Sequence, residues 1–132
     1  MSEKIVKELK IKVDEKNTAI AVKSGDCPVF ATPMLVALAE ETAAAIIKDI
    51  VKDKEGDPET TSVGTFISAS HIAATPIGMT VRAVVILENQ EDRKFEFSFE
   101  VFDEKELISK GTHTRFLVRK ESFIKKTEAK NS

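Results

Sequence analysis

Apolar and polar positions alternate along most of the second half of the chain. Phe95, Phe97, Phe99 and Val101 alternate with Lys94, Glu96, Ser98 and Glu100, a period of two that predicts a strand with one face buried. Val81, Ala83, Val85 and Leu87 alternate with Thr80, Arg82, Val84 and Ile86, so Thr80 to Glu88 predicts a strand that is apolar on most of both faces. Val63 to Ile72 and Leu107 to Arg119 complete a set of four strands. The joints are Ala74-Thr75-Pro76-Ile77-Gly78, the polar stretch Asn89 to Arg93, and Asp103-Glu104-Lys105, all rich in turn-forming residues.

The first half has a different pattern. Glu8 to Val13 and Thr18 to Val22 predict two short strands or one interrupted strand, and Ser24-Gly25-Asp26-Cys27-Pro28 predicts a loop. A helix follows from about Pro33 to Val51: Thr32 can cap it, Pro33 suits the first helical position, and Lys52, Lys54, Gly56 and Pro58 end it. The order strand, helix, four strands implies an α+β fold with an antiparallel sheet. A helix of that length, about 28 Å at 1.5 Å per residue, covers one face of such a sheet, so a homo-oligomer is expected.

Composition narrows the function classes. The chain has 132 residues, 42% hydrophobic and 32% charged, which suits one globular domain (1–124) with a polar, frayed tail (125–132). Its net charge of −2 provides no global field for nucleic acid. Met1 to Lys12 has no apolar run, and Val29 to Ala39 is too short to span a bilayer. A cytoplasmic protein with no membrane partner is therefore expected. One cysteine, Cys27, cannot form an internal disulfide, and nothing beside it lowers its pKa to make it a nucleophile. No histidine or cysteine pair stands at metal spacing, and the glycine signatures of nucleotide sites are absent. Neither a metal nor a cofactor is expected.

Three residues stand out chemically. On a helical wheel, Val36, Ala37, Ala43, Ala44, Ile47 and Val51 fall within about 60° of Glu40, whereas Glu41, Lys48, Asp49 and Lys52 lie between about 80° and 180° from it. Glu41 is thus expected to face solvent and Glu40 to sit in the middle of the apolar face, where a carboxylate must be paired, hydrated in a cleft or protonated. A pairing with an Arg or a position at the helix edge is the plain structural explanation. His71 ends a predicted strand beside Ala69, Ala73 and Ala74, small residues that leave space above an imidazole; most single strand histidines are structural. Thr32 places a hydroxyl at the helix start. Together a hydroxyl, a carboxylate and an imidazole suit general-base hydrolysis or covalent acyl transfer. His113 is the second histidine.

Val29-Phe30-Ala31-Thr32 with Glu40 eight residues on, Gly64-Thr65, Ser70-His71-Ile72-Ala73-Ala74-Thr75-Pro76-Ile77-Gly78 and Gly111-Thr112-His113-Thr114-Arg115 resemble the fluoroacetyl-coenzyme A thioesterase-like family of hot-dog proteins. The resemblance runs from about Cys27 to Phe123. It implies a sheet wrapped around the long helix, and a homodimer or a larger assembly of such dimers, with active sites between the chains. It also implies an acyl-coenzyme A substrate, with Thr32, Glu40 and His71 as the catalytic set, Gly64 lining the acyl pocket and Arg115 in support. The carboxylate then attacks the thioester carbonyl or activates a water, the histidine handles protons, and the threonine positions the carboxylate or the carbonyl. The family's founding member has a phenylalanine lid six residues before its threonine, where this chain has Asp26; Phe30 is the remaining candidate lid. The competing reading is a hot-dog module that binds an acyl-coenzyme A without turnover. A hydratase ranks last, because Ser70-His71-Ile72 lacks the Asp such a site needs.

Overall fold

The computed structural model describes residues 3–52 and 60–132. Five strands form one sheet: β1 (Val6–Lys12), β2 (Thr60–His71), β3 (Thr80–Glu91), β4 (Lys94–Phe102) and β5 (Leu107–Arg119). They lie in the order β1-β3-β4-β5-β2, every neighbouring pair antiparallel. Helix α1 (Thr32–Lys52) packs on the face to which Val81, Val85, Phe95, Phe97, Phe99 and Val101 point. Each such side chain, once buried, contributes about 1.5–3 kcal/mol, so the face carrying the Phe alternation is the main source of stability. The four later strands follow the alternation, and the helix covers the stretch that the sequence predicts for it. The helix-ending residues Lys54, Gly56 and Pro58 lie outside the described residues.

One expectation from the first half is corrected. Thr18 to Val22 is not a strand; only an isolated Thr18 to Phe30 bridge remains of it. Asp14 and Asn17 exchange side-chain bonds with each other's part of a 3-10 turn at 2.9 Å. The Thr18 hydroxyl donates to the Glu15 carbonyl at 3.1 Å and accepts from the Ala21 amide at 3.2 Å. These local bonds take the backbone groups that a ladder would need. At the C-terminal end, helix α2 (Lys120–Glu128) continues directly from β5, polar and without a buried residue, with Glu121 and Lys125 paired at 3.4 Å one turn apart. No helix among the described residues is long and apolar enough to cross a membrane.

One irregularity positions the site. β2 pairs with β5 in regular register except between Gly64 and Phe66, where the register shifts. Gly64 lies opposite Arg115 and Phe66 opposite Thr114, so Thr65 is the extra residue of a bulge.

Candidate active site

The first residue of α1 meets the last residue of β2. The Thr32 Oγ1 and His71 Nδ1 are 2.7 Å apart, so the hydroxyl bonds to the imidazole rather than capping the helix as expected. The pair opens into a cavity of about 290 Å³ whose walls include Ser24, Val29, Phe30, Ile72, Ala73 and Ala74. Ala73 and Ala74 leave the room that small neighbours of His71 predicted. Burial pulls the His71 imidazole below its usual pKa, and a hydrogen bond with the Ala73 backbone partly opposes this. The ring is therefore held neutral near pH 7, the form that accepts a proton.

Phe30 lines the same cavity and is packed in the hydrophobic core. Its amide donates to the Thr75 carbonyl at 2.9 Å, and the Thr75 hydroxyl donates to Asp103 at 2.8 Å. Burial works against the Asp103 carboxylate, but the Lys105 amide, the Thr75 hydroxyl and the Glu106 amide outweigh it and hold the carboxyl below the usual range. Asp103 thereby ties the β4–β5 turn to the Thr75 segment and, through it, to one wall of the cavity. Asp26 is exposed in the loop before the helix, and its carboxylate contacts the Cys27 thiol.

A second cluster forms farther along the helix. Glu40 is not in the middle of the buried face: the buried residues of α1 are Leu35, Leu38, Ala39, Thr42, Ala43, Ile46 and Ile47, an arc that Glu40 borders. The wheel misplaced the centre because alanines at 37 and 44 counted as apolar, whereas Ala37 is exposed and Ala44 half-buried. The Glu40 side chain is 40% exposed and its Oε2 lies 3.9 Å from Arg115 Nη1. Glu41 is exposed, as expected. Arg115 donates from Nε to the Ser62 hydroxyl at 2.9 Å and from Nη2 to the Ser62 carbonyl at 3.0 Å. Burial pulls its guanidinium below the usual range, with the Glu40 carboxylate opposing.

Gly64 sits against this cluster. A Cβ there would lie 3.1 Å from Glu40 Oε2, 3.1 Å from His113 Cε1 and 3.3 Å from Arg115 Nη1. His113, which the sequence left without a role, is buried between Arg115 and β2: its Nδ1 is 2.7 Å from the Phe66 carbonyl and its Nε2 3.2 Å from Arg115 Nη1. Gly111, His113 and Arg115 alternate on one strand, and that period of two was the available signal. Among the described residues no group of histidines, cysteines or carboxylates could hold a metal ion. The Thr32–His71 pair and the Glu40–Arg115 pair share no hydrogen bond within the chain.

Comparison with known proteins decides what this arrangement belongs to. Residues 13–121 match the model of a family described as fluoroacetyl-CoA-specific thioesterase, FlK. The chain belongs to this family of thioester hydrolases. A fluoroacetyl-CoA thioesterase from Streptantibioticus cattleyicolor is 33% identical over 102 residues, 77% of this chain and 70% of that one. The crystal structure of a phenylalanine-to-alanine mutant of FlK superposes with a TM-score of 0.87 at 27% identity, over 98% of this chain and 97% of that one. A Thermus thermophilus member of the thioesterase superfamily, 22% identical, superposes with a TM-score of 0.83 over 98% and 94% of the two chains. The antiparallel sheet and its long helix are thus the hot-dog fold, and the activity of the family is acyl-CoA thioester hydrolysis.

Proposed function

We propose that this member hydrolyses a small acyl-coenzyme A thioester, with Thr32, Glu40 and His71 as its reacting groups. The observation that carries the reading is the 2.7 Å contact between the Thr32 hydroxyl and His71 at the mouth of an open cavity. A thioester carbonyl entering that cavity meets the threonine hydroxyl, which orients it, and His71 exchanges protons through that hydroxyl. Glu40 supplies the carboxylate that attacks the carbonyl carbon or takes a proton from the attacking water. The carbon–sulfur bond then breaks and the coenzyme leaves as its thiol, its sulfur protonated through His71; where Glu40 has attacked, water then cleaves the acyl–Glu40 anhydride, and by either route the acyl group leaves as its carboxylic acid. Gly64 gives the acyl group room, Phe30 lines its pocket, and Arg115 fixes the carboxylate.

The working unit in this reading is a homodimer. Eight residues separate Thr32 from Glu40, about 12 Å along a helix, farther than one carbonyl can bridge. A second copy brings its own carboxylate toward the Thr32–His71 pair. The free edge of β2 supports this, because an unpaired edge strand is a template for another, and Phe66 on it and Ile72 just beyond its end are 58% and 61% exposed. We place the protein in the cytoplasm, where a lone exposed thiol such as Cys27 stays reduced, and treat residues 1–124 as its single catalytic domain.

The deciding experiment is release of free thiol from a panel of short, branched and aromatic acyl-coenzyme A substrates, run on the unmodified protein and on Glu40→Gln. Turnover that the substitution abolishes supports the reading. Tight binding of the panel with no thiol release replaces it with a ligand-holding module.

A further inference from the structure

Asp103 is the one buried carboxylate among the described residues, 9% exposed, and no step of the proposed reaction uses it. A carboxylate in such a place is costly unless its oxygens are bonded. Oδ1 accepts from the Lys105 and Glu106 amides at 2.8 and 2.9 Å, the ordinary turn that an aspartate makes with the backbone following it. Oδ2 is engaged elsewhere. It accepts at 2.8 Å from the hydroxyl of Thr75, a fully buried residue 28 positions earlier, and the turn does not need that bond.

Thr75 stands where two walls of the Thr32–His71 cavity meet. One wall is the run from His71 to Ala74, which leads into Thr75; the other is Val29, Phe30 and Thr32. The near junction of these walls is the Thr32–His71 contact at 2.7 Å. The far junction is the Phe30 amide, which donates to the Thr75 carbonyl at 2.9 Å and is continued by a bridge between Val29 and Pro76. Asp103 thus holds by its hydroxyl the same residue whose carbonyl makes the far junction. Glu104 also ties the turn to this connection, accepting from the Thr80 amide at 2.8 Å, but it is exposed and acts away from the cavity walls.

We infer that Asp103 is a positioning residue of the active site: through the Thr75 hydroxyl it pins the far junction of the cavity walls, and so keeps Thr32 against His71 at the near one. This rests on the reading of Thr32 and His71 as reacting groups. Phe30 is two residues from Thr32 and Thr75 is four from His71, so a shift of the Thr75 peptide reaches both groups through short stretches of chain. Without the hydroxyl, Oδ2 becomes a buried charged acceptor with no donor, and the turn and the Thr75 segment are driven apart. Reacting groups tolerate such displacements poorly.

The protein has only two histidines, so ¹⁵N labelling of histidine reports each imidazole, assigned with His113→Gln. Thr75→Val removes the hydroxyl and keeps the branched shape. It should move the His71 resonances, leave those of His113 in the second cluster unmoved, and lower kcat for thiol release about tenfold with KM within about twofold. Thr75→Ser, which keeps the hydroxyl, should restore both readings. A lower Tm with unchanged His71 resonances and kcat in Thr75→Val overturns the inference, because Asp103 then only stabilises the fold. An equal displacement of His113 overturns it too, since that marks a general loosening. If Thr75→Val does not fold, Asp103→Asn takes its place: its carboxamide oxygen keeps both turn amides, while the bond to Thr75 loses the charge that made it about twice as strong. The same His71 shift with a smaller loss of kcat is then expected, and an unmoved His71 overturns the inference. If even the unmodified protein releases no thiol, the catalytic reading fails, and the His71 resonances alone decide the hold of Asp103 on the cavity.

Discussion

Arg115 donates to His113 Nε2 at 3.2 Å from two residues away on the same strand face. A guanidinium has no acceptor, so Nε2 must offer its lone pair, and the proton of the neutral ring sits on Nδ1, which donates to the Phe66 carbonyl at 2.7 Å. Both ring nitrogens are engaged in the neutral form. A second proton would break the bond to Arg115 and set two positive charges side by side.

Stability should therefore fall in weak acid. Burial lowers the His113 pKa below its ordinary 6.5; the Phe66 carbonyl opposes this, the Arg115 charge adds to it and Glu40 opposes it. His71 is lowered as well, again chiefly by burial. Above pH 6.5 both rings are neutral, folded or unfolded, and the full stability is present. As the pH drops below 6.5 the unfolded chain takes up protons that the folded chain resists, so stability is lost progressively toward the folded pKa values. Thermal melts between pH 7.5 and 5 should show a falling Tm, and His113→Gln should flatten that slope. A Tm independent of pH over the range would contradict the neutral assignment.

Glu40→Gln, His71→Ala and Thr32→Ala should each lower thioester hydrolysis while circular dichroism stays unchanged. The carboxylate variant should be the most severe, within the roughly 10²- to 10⁴-fold range of acid–base groups. Glu41→Gln is the control, since that side chain is exposed one position on. Equal damage from Glu40→Gln and Glu41→Gln would remove Glu40 from the reacting set.

Gly64→Ala probes how closely the second cluster is packed. The added carbon would stand 3.1 Å from a Glu40 oxygen and 3.1 Å from the His113 ring, closer than ordinary contact, so the carboxylate must move. We expect kcat/KM to drop about tenfold or more, since small displacements of a reacting group are costly. Unchanged kinetics would mean that Glu40 does not react from this place.

Selectivity for fluoroacetyl- over acetyl-coenzyme A should be weak. Asp26 is an exposed aspartate where the family's founding member has an aromatic lid, and a carboxylate there favours hydration over sealing an apolar pocket. The ratio of kcat/KM for the two substrates should stay below about a hundredfold, equivalent to some 2.7 kcal/mol. A larger ratio would assign the gate to another residue, Phe30 first.

Light scattering at micromolar concentration should give the mass of a dimer. A monomer of 14.6 kDa that still turned over substrate would rule out a site shared between chains.

The four later strands were legible because their periodicity is dense: eight apolar residues on the inner face of β3 and β4, from Val81 to Val101, sit where alternation put them. Thr18 to Val22 was misread because its apolar residues alternate only weakly and the Asn17 and Thr18 side chains bind the backbone. Glu40 was placed at the centre of a face it only borders, since a wheel weights Ala37 like Leu35 although only the leucine fills the core. Thr32 and His71 could be nominated singly, but their contact joins a helix start to a strand end 39 residues on. No local pattern encodes such a meeting. His113 went unassigned for the same reason, as its importance lies in the Phe66 carbonyl that it meets on β2.

The bulge at Thr65 settles a question of odd and even. Gly64 faces the helix side of the sheet opposite Arg115, and so do Ile67, Ala69 and His71, opposite His113, Gly111 and Ser109. An uninterrupted strand that turned Gly64 inward would turn every even-numbered residue inward, placing Phe66, Ser68 and Ser70 against the core and His71 in solvent. The single extra residue changes the parity between the two ends of β2, so that the glycine beside Glu40 and the histidine beside Thr32 look the same way. Shortening the strand by one residue there would leave every reacting group in the chain and still point one of them at the wrong side.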